Sequence, residues 1–359
     1  MKLLLFIDSL GSGGAQRQLV ELGKGFKEKG HEVIFLVYHN ETFFKPELDQ
    51  ANIPVKTVIE PNYIKRIFKI RKAIRSEKPD AVLSFLEPAN FMATLAGLPF
   101  RKWKLVVGER SANPKIYKTA KKIMFRWFHL FANHVVANSK ANLEIVMKVS
   151  PFLSKKKCHV IYNIVNTPLS VTGEKPINQK INIVVAASYR QIKNTHNLIH
   201  AVDLLPNTFK NKLEIRWFGA ANSTYYHDMK KLVEAKKLNE IIKLNDQTNE
   251  IFEKYADADF VGLFSSHEGF PNAICEAMKI GKPVIVPNIS DIPIFIKEGV
   301  NGYLCDSNDV VSIKETLIKA IQTNDSLRKT MGRNNKNIAA KQFDKTKIVN
   351  AYLNLLVRE

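Results

Sequence analysis

The sequence predicts an α/β fold of two doubly wound halves that face each other across a deep cleft. Three observations carry this. Short β-branched or Leu-rich runs alternate with segments of helical period along the whole chain, the signature of parallel strands joined by crossover helices. The pattern pauses in a polar, aperiodic stretch over 166–180, which contains Pro168, Gly173 and Pro176, and then restarts. And 359 residues, 45% apolar and 25% charged, supply about two ordinary cores at ~150 residues per domain. The resulting division is an N-terminal domain over 1–165, a linker over 166–180, a second domain over 181–340, and a C-terminal helix over 341–359 that packs back toward the first domain.

In the first half the run 3–7 reads as a buried strand. Its apolar stretch stops at Asp8, short of the ~7–15 residues of a secretory signal core. A helix near 15–28 follows. Further strands fall at 32–37, 55–59, 81–85, 104–107, 134–137 and 159–161, with helices near 64–76, 91–96, 117–131 and 140–149 between them. The second half repeats the scheme with strands at 181–186, 213–218, 241–244, 260–263 and 283–286. Three helices, at 309–322, 325–341 and 345–357, close the chain. No run approaches the ~20 apolar residues needed to cross a bilayer. Cys158, Cys275 and Cys305 form no C-x-x-C pair, which points away from a disulfide framework or a cysteine zinc site and toward a reducing compartment.

The formal charge of +20 calls for an anionic partner, and it is unevenly spread. Residues 1–165 hold 28 basic and 13 acidic side chains, a surplus of +15; the remainder carries only +5. The stretch 64–75 has six cations and no acid, and 115–131 sets Lys118, Lys121, Lys122 and Arg126 beside Ile116, Ile123, Met124, Trp127 and Phe128. Basic amphipathic helices with Trp and Phe suit the headgroup layer of an anionic membrane, at ~1 kcal/mol per interfacial cation. Lys65, Arg66, Lys69, Lys118, Lys122 and Trp127 are the candidate membrane residues. No nucleic-acid motif accompanies the charge, so nucleic acid is not expected as a partner.

The densest constellation is the string Ser265-Ser266-His267-Glu268-Gly269-Phe270-Pro271-Asn272-Ala273-Ile274-Cys275-Glu276-Ala277-Met278, between a strand and a helix. A carboxylate is an acceptor suited to the paired hydroxyls of a ribose or hexose. Free N–H groups at the helix start after Pro271 favour a phosphate. Two such acids, Glu268 and Glu276, flanking an anion-binding helix end describe a sugar-nucleotide site. Near the N-terminus, Gly11-Ser12-Gly13-Gly14 turns from strand to helix, and Gly13 and Gly14 are donor-binding candidates whose backbone can approach closely beneath the donor. It is not a full G-x-G-x-x-G, because Arg17 and Gln18 follow. His196 and His200 lie four apart, yet Asn197 is not the Glu of H-E-x-x-H, and no metal is expected.

These residues resemble the retaining glycosyltransferases of the GT-B fold grouped as family 4. Ser265, Glu268-Gly269-Phe270, Glu276-Ala277-Met278 and Gly281-Lys282-Pro283-Val284 follow that family's S-x-x-E-G-F…E-A-M…G-x-P-V signature. Gly13-Gly14-Ala15, Asn138-Ser139, Val160-Ile161-Tyr162-Asn163 and Asn301-Gly302 extend the likeness over essentially the full length. The resemblance implies two Rossmann-like domains. It also implies that Glu276 holds the donor ribose, and that Glu268 with Gly269, Phe270, Pro271 and Asn272 holds the transferred sugar and diphosphate.

Two departures stand out. The family's G-R-L-x-x-x-K pattern is met at Lys193, but Ser188 stands at the Arg position and Arg190 is displaced by two. Lys193 and Arg190 are the candidates that neutralise charge on the departing diphosphate, and with Glu268 they form the catalytic set. The histidine frequent near the end of the strand at 81–85 is absent, so Glu87, Glu109 and Arg110 are the acceptor candidates from position alone.

The expectation is a transferase moving a sugar from a UDP-hexose or UDP-N-acetylhexosamine to a hydroxyl of a lipid-linked glycan during polysaccharide or glycan assembly. It needs no cofactor beyond the UDP-sugar substrate, and works in the cytoplasm, peripherally bound to the inner face of the membrane. A GT-B-fold sugar-nucleotide epimerase is the alternative, and a non-enzymatic basic binding protein a weaker one.

Overall fold

The computed structural model describes residues 1–110, 116–117, 119–168 and 180–357. The expected linker therefore lies almost wholly outside the described residues, as does Lys118. The chain forms two compact units. One joins Met1–Ile164 to Phe343–Glu359, and the other is Val165–Gln342.

The strands are β1 (Lys2–Phe6), β2 (Glu32–Val37), β3 (Val55–Thr57), β4 (Ala81–Phe85), β5 (Lys104–Glu109), β6 (His134–Ala137), β7 (Cys158–Val160), β8 (Ile181–Ala186), β9 (Leu213–Phe218), β10 (Ile242–Asn245), β11 (Phe260–Gly262), β12 (Val284–Pro287) and β13 (Gly302–Cys305). The helices of the first half are α1 (Gly14–Glu28), α2 (Lys45–Gln50), α3 (Tyr63–Glu77), α4 (Glu87–Gly97), α5 (Ala120–Trp127) and α6 (Lys140–Val149). Those that follow are α7 (Thr195–Asp203), α8 (Asn207–Lys210), α9 (Thr224–Ala235), α10 (Ile251–Asp257), α11 (Asn272–Lys279), α12 (Ile292–Phe295), α13 (Val310–Gln322), α14 (Asp325–Gln342) and α15 (Lys345–Leu356).

In the first unit all strands are parallel, in the order β3-β2-β1-β4-β5-β6-β7. Strands covered on both faces read as continuous apolar runs, and Leu3, Leu4, Leu5 and Phe6 are all buried. Odd positions Leu3 and Leu5 join Phe35, Leu83 and Phe85 under α1 and α15, with Phe26, Ile348 and Tyr352 in the same core. Even positions Leu4 and Phe6 join Val82 and Leu105 under α3 and α4, with Ile74 and Met92. The C-terminal helix α15 is thus part of this unit's core.

The second unit repeats the pattern, all parallel, as β10-β9-β8-β11-β12-β13. Its core gathers Ile183, Val185, Trp217, Phe260 and Ile285 from the sheet and Leu198, Ile313 and Leu317 from the helices. Strand β13 was not expected. It has four residues and starts with Gly302, where a side chain's Cβ would sit 2.5 Å from the Val284 carbonyl oxygen, so only glycine fits the approach.

The expected helix over 117–131 also differs. The α-helix begins at Ala120, with Thr119 at its N-cap, and tightens into a 3₁₀ turn at Phe128–Phe131. Arg126, expected among the cations of a basic amphipathic helix suited to a membrane surface, is instead 2% exposed. Among the described residues no helix is long and apolar enough to cross a membrane, and no cluster of metal-binding side chains occurs.

Candidate active site

In each sheet the strand order reverses beside the first strand, between β1 and β4 and between β8 and β11. Open parallel sheets bind ligands at the carboxyl ends of strands at that reversal, because the crossover connections diverge there and leave a crevice. The sequence candidates fall on these loops.

In the second unit, the chain leaving β8 runs through Ser188, Tyr189, Arg190 and a 3₁₀ turn at Gln191–Lys193 into α7. Tyr189 anchors it: the ring is 2% exposed and stacks on Trp217, and its hydroxyl donates to the Asn245 carbonyl at 2.8 Å. Asn194 turns the corner in the left-handed region at φ 67° and donates to the Ser307 carbonyl. The loop leaving β11 is tied to it by the Ser266 N–H, which donates to the Ile192 carbonyl at 2.9 Å. The Ser307 hydroxyl braces the Ser265 carbonyl at 3.0 Å.

This bracing brings Lys193 and Glu268, 75 positions apart, into contact: Nζ lies 2.5 Å from Oε1, with both side chains largely buried. Pro271 sits at the N-cap of α11, and Phe270 and Pro271 are buried beneath the loop. Glu276 is the fifth residue of α11, just past its first turn, and is 8% exposed. Gly269 and Asn272 are half-buried at the loop and helix start. Arg190 is exposed, and its Nε donates to the Ser188 hydroxyl at 3.0 Å rather than to Glu268. The displaced arginine is thus bound to the very residue that stands at the family position. His196 is occupied by the Tyr225 hydroxyl at 2.9 Å.

In the first unit, Gly13 is the N-cap of α1, with its N–H donating to the Gly11 carbonyl at 2.8 Å, and Gly14 is the first helical residue. Beside this turn Asp8 accepts from the Gln16 side chain at 2.9 Å. Asp8, Leu86, Glu87, Pro88, Glu109, Arg110, Lys122 and Arg126 line a cavity of about 340 Å³ at the carboxyl ends of β1, β4 and β5.

The three acceptor candidates share this cavity but differ in what holds them. Glu109 is 2% exposed, and both its oxygens are taken, by Arg126 Nη2 and His129 Nε2, each at 2.8 Å. Burial alone would raise its carboxyl. The Arg126 charge and the His129 hydrogen bond outweigh that and hold it below the usual value. Arg110 is held by Asn163 Oδ1 at 2.9 Å and the Tyr352 hydroxyl at 2.5 Å, with its guanidinium 3.6 Å from the Phe85 ring centroid, so it fastens α15 to the sheet. Glu87, the first residue of α4, meets Arg126 Nη1 at 2.8 Å and keeps a fifth of its side chain exposed. Arg126, His129, Asp8 and Tyr352 were not singled out from sequence. Arg126 read as one more cation of a basic helix, and nothing local marks a cation that turns inward.

The basic helices expected at a membrane carry unusual apolar exposure. On α3, Ile64 and Phe68 are each 66% exposed, while Ile70, Ala73 and Ile74 face the core. Lys65 is exposed, whereas Arg66 donates to the Glu60 carbonyl at 2.7 Å and Lys69 pairs with Glu60 at 2.6 Å. On α5, Lys122 is half-buried at the cavity, and Trp127 is half exposed with Nε1 donating to the Val149 carbonyl.

Residues 12–168 match Glycosyltransferase Family 4, and residues 172–338 match Glycosyl transferases group 1. Among curated proteins, the chain is 24% identical over 373 aligned positions to the N-acetylgalactosamine-N,N'-diacetylbacillosaminyl-diphospho-undecaprenol 4-alpha-N-acetylgalactosaminyltransferase of Campylobacter jejuni, covering 99% of each. It is also 24% identical to the N-acetyl-alpha-D-glucosaminyl L-malate synthase of Bacillus anthracis, covering 98% of this chain and 96% of that one. Among solved structures, Anabaena Alr3699/HepE in complex with UDP superposes with a TM-score of 0.86 over 99% of both chains at 19% identity. The two family matches, one on each unit, and the shared two-sheet architecture establish that this chain belongs to the family 4-type glycosyltransferases of the GT-B fold.

Proposed function

We propose that this glycosyltransferase moves a hexose or N-acetylhexosamine from a UDP-sugar to a hydroxyl of a lipid-linked glycan, with retention at the anomeric carbon. The second unit takes the donor and the first takes the acceptor. The observation that carries the reading is the Lys193–Glu268 pair at the switch point beside the start of α11. A cation and a carboxylate in contact present one group for diphosphate and one for sugar hydroxyls, the two chemistries of a sugar nucleotide. Glu276 is assigned to the ribose and the loop Gly269–Asn272 to the diphosphate. Arg190 enters the site only by giving up Ser188. No carboxylate is assigned as a nucleophile.

The UDP in the Anabaena structure and the diphospho-undecaprenol named for the Campylobacter relative support donor and acceptor class. Ile64 and Phe68 beside Lys65 on α3, and the half-exposed Trp127 on α5, support a seat on the anionic inner face of a membrane. The test is UDP release from UDP-glucose, UDP-galactose and their N-acetylated forms, with and without undecaprenyl-diphosphate glycans, and NMR of the product's anomeric centre. No UDP release from any donor overturns the donor assignment; an inverted product overturns the stereochemistry.

A further inference from the structure

We infer that Arg126 is a positioning residue for acceptor recognition: from inside the core it fixes the Glu87 carboxylate, which takes a hydroxyl of the acceptor's terminal sugar. This rests on the reading that the first unit holds the acceptor.

The argument begins with the way the guanidinium is divided. A buried arginine that only neutralises one carboxylate makes a bidentate fork with it. Arg126 splits instead, with Nη2 on the fully buried Glu109 and Nη1 on Glu87 at the cavity. Glu109 is fixed from its other side by His129, itself 1% exposed, and Nη1 also donates to the Lys122 carbonyl at 3.0 Å. The chain His129–Glu109–Arg126–Glu87 thus runs from the core to a partly exposed carboxylate at the cavity. Arg126 Nε and His129 Nδ1 are buried with no hydrogen-bond partner. A buried ion cluster with unpartnered polar atoms is a weak stabiliser, since desolvation offsets most of its attraction. It is well suited to holding one side chain in one orientation.

A second, independent feature lies at the same place. Leu86, which precedes Glu87, adopts φ 76° and ψ 146°, a region that costs a residue with a Cβ and is populated almost only by glycine. That turn delivers Glu87 to the first position of α4, within reach of Arg126. Two unfavourable features, a strained leucine and a buried ion cluster, converge on the placement of a single carboxylate.

The cavity decides the ligand class. Its volume of about 340 Å³ lies within the ~300–1,000 Å³ of small-molecule sites. Asp8, Glu87 and Glu109 line it with Arg110, Lys122 and Arg126, so the lining has no surplus of either sign; Asp8 and Glu87 supply acceptors for hydroxyls, and Leu86 and Pro88 offer apolar wall to the C–H face of a ring. A neutral, hydroxyl-rich ring fits this lining.

The experiment uses the full chain in the presence of UDP and a panel of methyl glycosides of the common hexoses and N-acetylhexosamines, read by saturation-transfer NMR titration. At least one glycoside is expected to bind saturably. Its affinity should fall about tenfold in Glu87→Gln and in Arg126→Met, and recover in part in Arg126→Lys. In the Glu87→Gln background, adding Arg126→Met should cost nothing further, which a merely structural role would not produce. Glu87→Gln changes a partly exposed side chain and keeps the test sound if Arg126→Met fails to fold. Absence of any saturable glycoside binding, undiminished binding in Glu87→Gln, or independent losses from the two changes would each overturn the inference. UDP affinity and UDP-sugar turnover report separately: their loss in the unaltered chain would sink the donor reading and leave the glycoside result to stand alone.

Discussion

Lys193 Nζ lies 2.5 Å from Glu268 Oε1, joining the loop that leaves β8 to the loop that leaves β11. Each loop is held by its own backbone and side-chain bonds, so the pair is positioned rather than merely flexible surface charge. If it stabilises the departing diphosphate, Lys193→Ala should lower kcat by about 10²–10³-fold at saturating UDP-sugar, the range seen when one preorganised stabilising group is removed. Initial-rate measurement of UDP release checks this. An unchanged kcat would remove Lys193 from the chemistry.

Glu276 tests the ribose assignment separately. Glu276→Gln keeps the volume of a buried side chain and removes its charge, so the fold should survive. UDP affinity measured by calorimetry should drop about tenfold, while the free phosphate end of the site is left alone. Retained UDP affinity would move the ribose elsewhere.

Arg110 and Tyr352, 242 positions apart, join the end of β5 to α15 through a partly buried hydrogen bond. Tyr352→Phe removes one oxygen and leaves the guanidinium short of a partner, at a cost of about 1–3 kcal/mol. Urea unfolding followed by fluorescence should show this loss with no change in UDP affinity.

Glu109 links stability to acid. Despite its burial its carboxyl sits below the ordinary 4.5, owing to the Arg126 charge and the His129 hydrogen bond. A carboxyl depressed by folding contributes stability that is present in full above the ordinary value and lost as pH falls through the lower folded one. Thermal unfolding scans should therefore place Glu109→Gln well below the unaltered chain at neutral pH. The gap should narrow as pH falls below 4.5. A gap that stays constant down to pH 3 would contradict the assignment.

The membrane seat has its own test. Ile64 and Phe68 are two-thirds exposed, so Ile64→Asp with Phe68→Asp should leave the fold intact. Sedimentation with phosphatidylglycerol vesicles should show at least about tenfold weaker binding. Equal binding would assign the exposed pair to something other than lipid.

How legible all this is from sequence varies for physical reasons. Strands such as β2, β4 and β9 are delimited by unbroken apolar or alternating runs, and the expected and observed limits coincide. β13 escaped because a four-residue strand beginning with Gly302 has no periodicity to detect. At the site, Lys193 and Glu268 were visible through the family signature, whereas their contact depends on Ser266 and Ser307 bracing two loops. Arg126 was read on the wrong side of its helix. A long cationic side chain shows the same letter whether it faces water or a buried Glu109, and only the partner's position in three dimensions distinguishes the two.

The membership of α15 in the first unit has a consequence for how the molecule comes into being. Ile348, Val349, Tyr352 and Leu356 cover the same core as Leu5, Phe35 and Phe85, yet all of Val165–Gln342 is translated before them. A ribosome therefore delivers the whole second unit while the first still exposes an apolar face on its sheet and an unanswered Arg110. The second unit can complete itself as it emerges, but the first has to wait. Its core closes only when the single helix α15 arrives, after the whole of the second unit has been made.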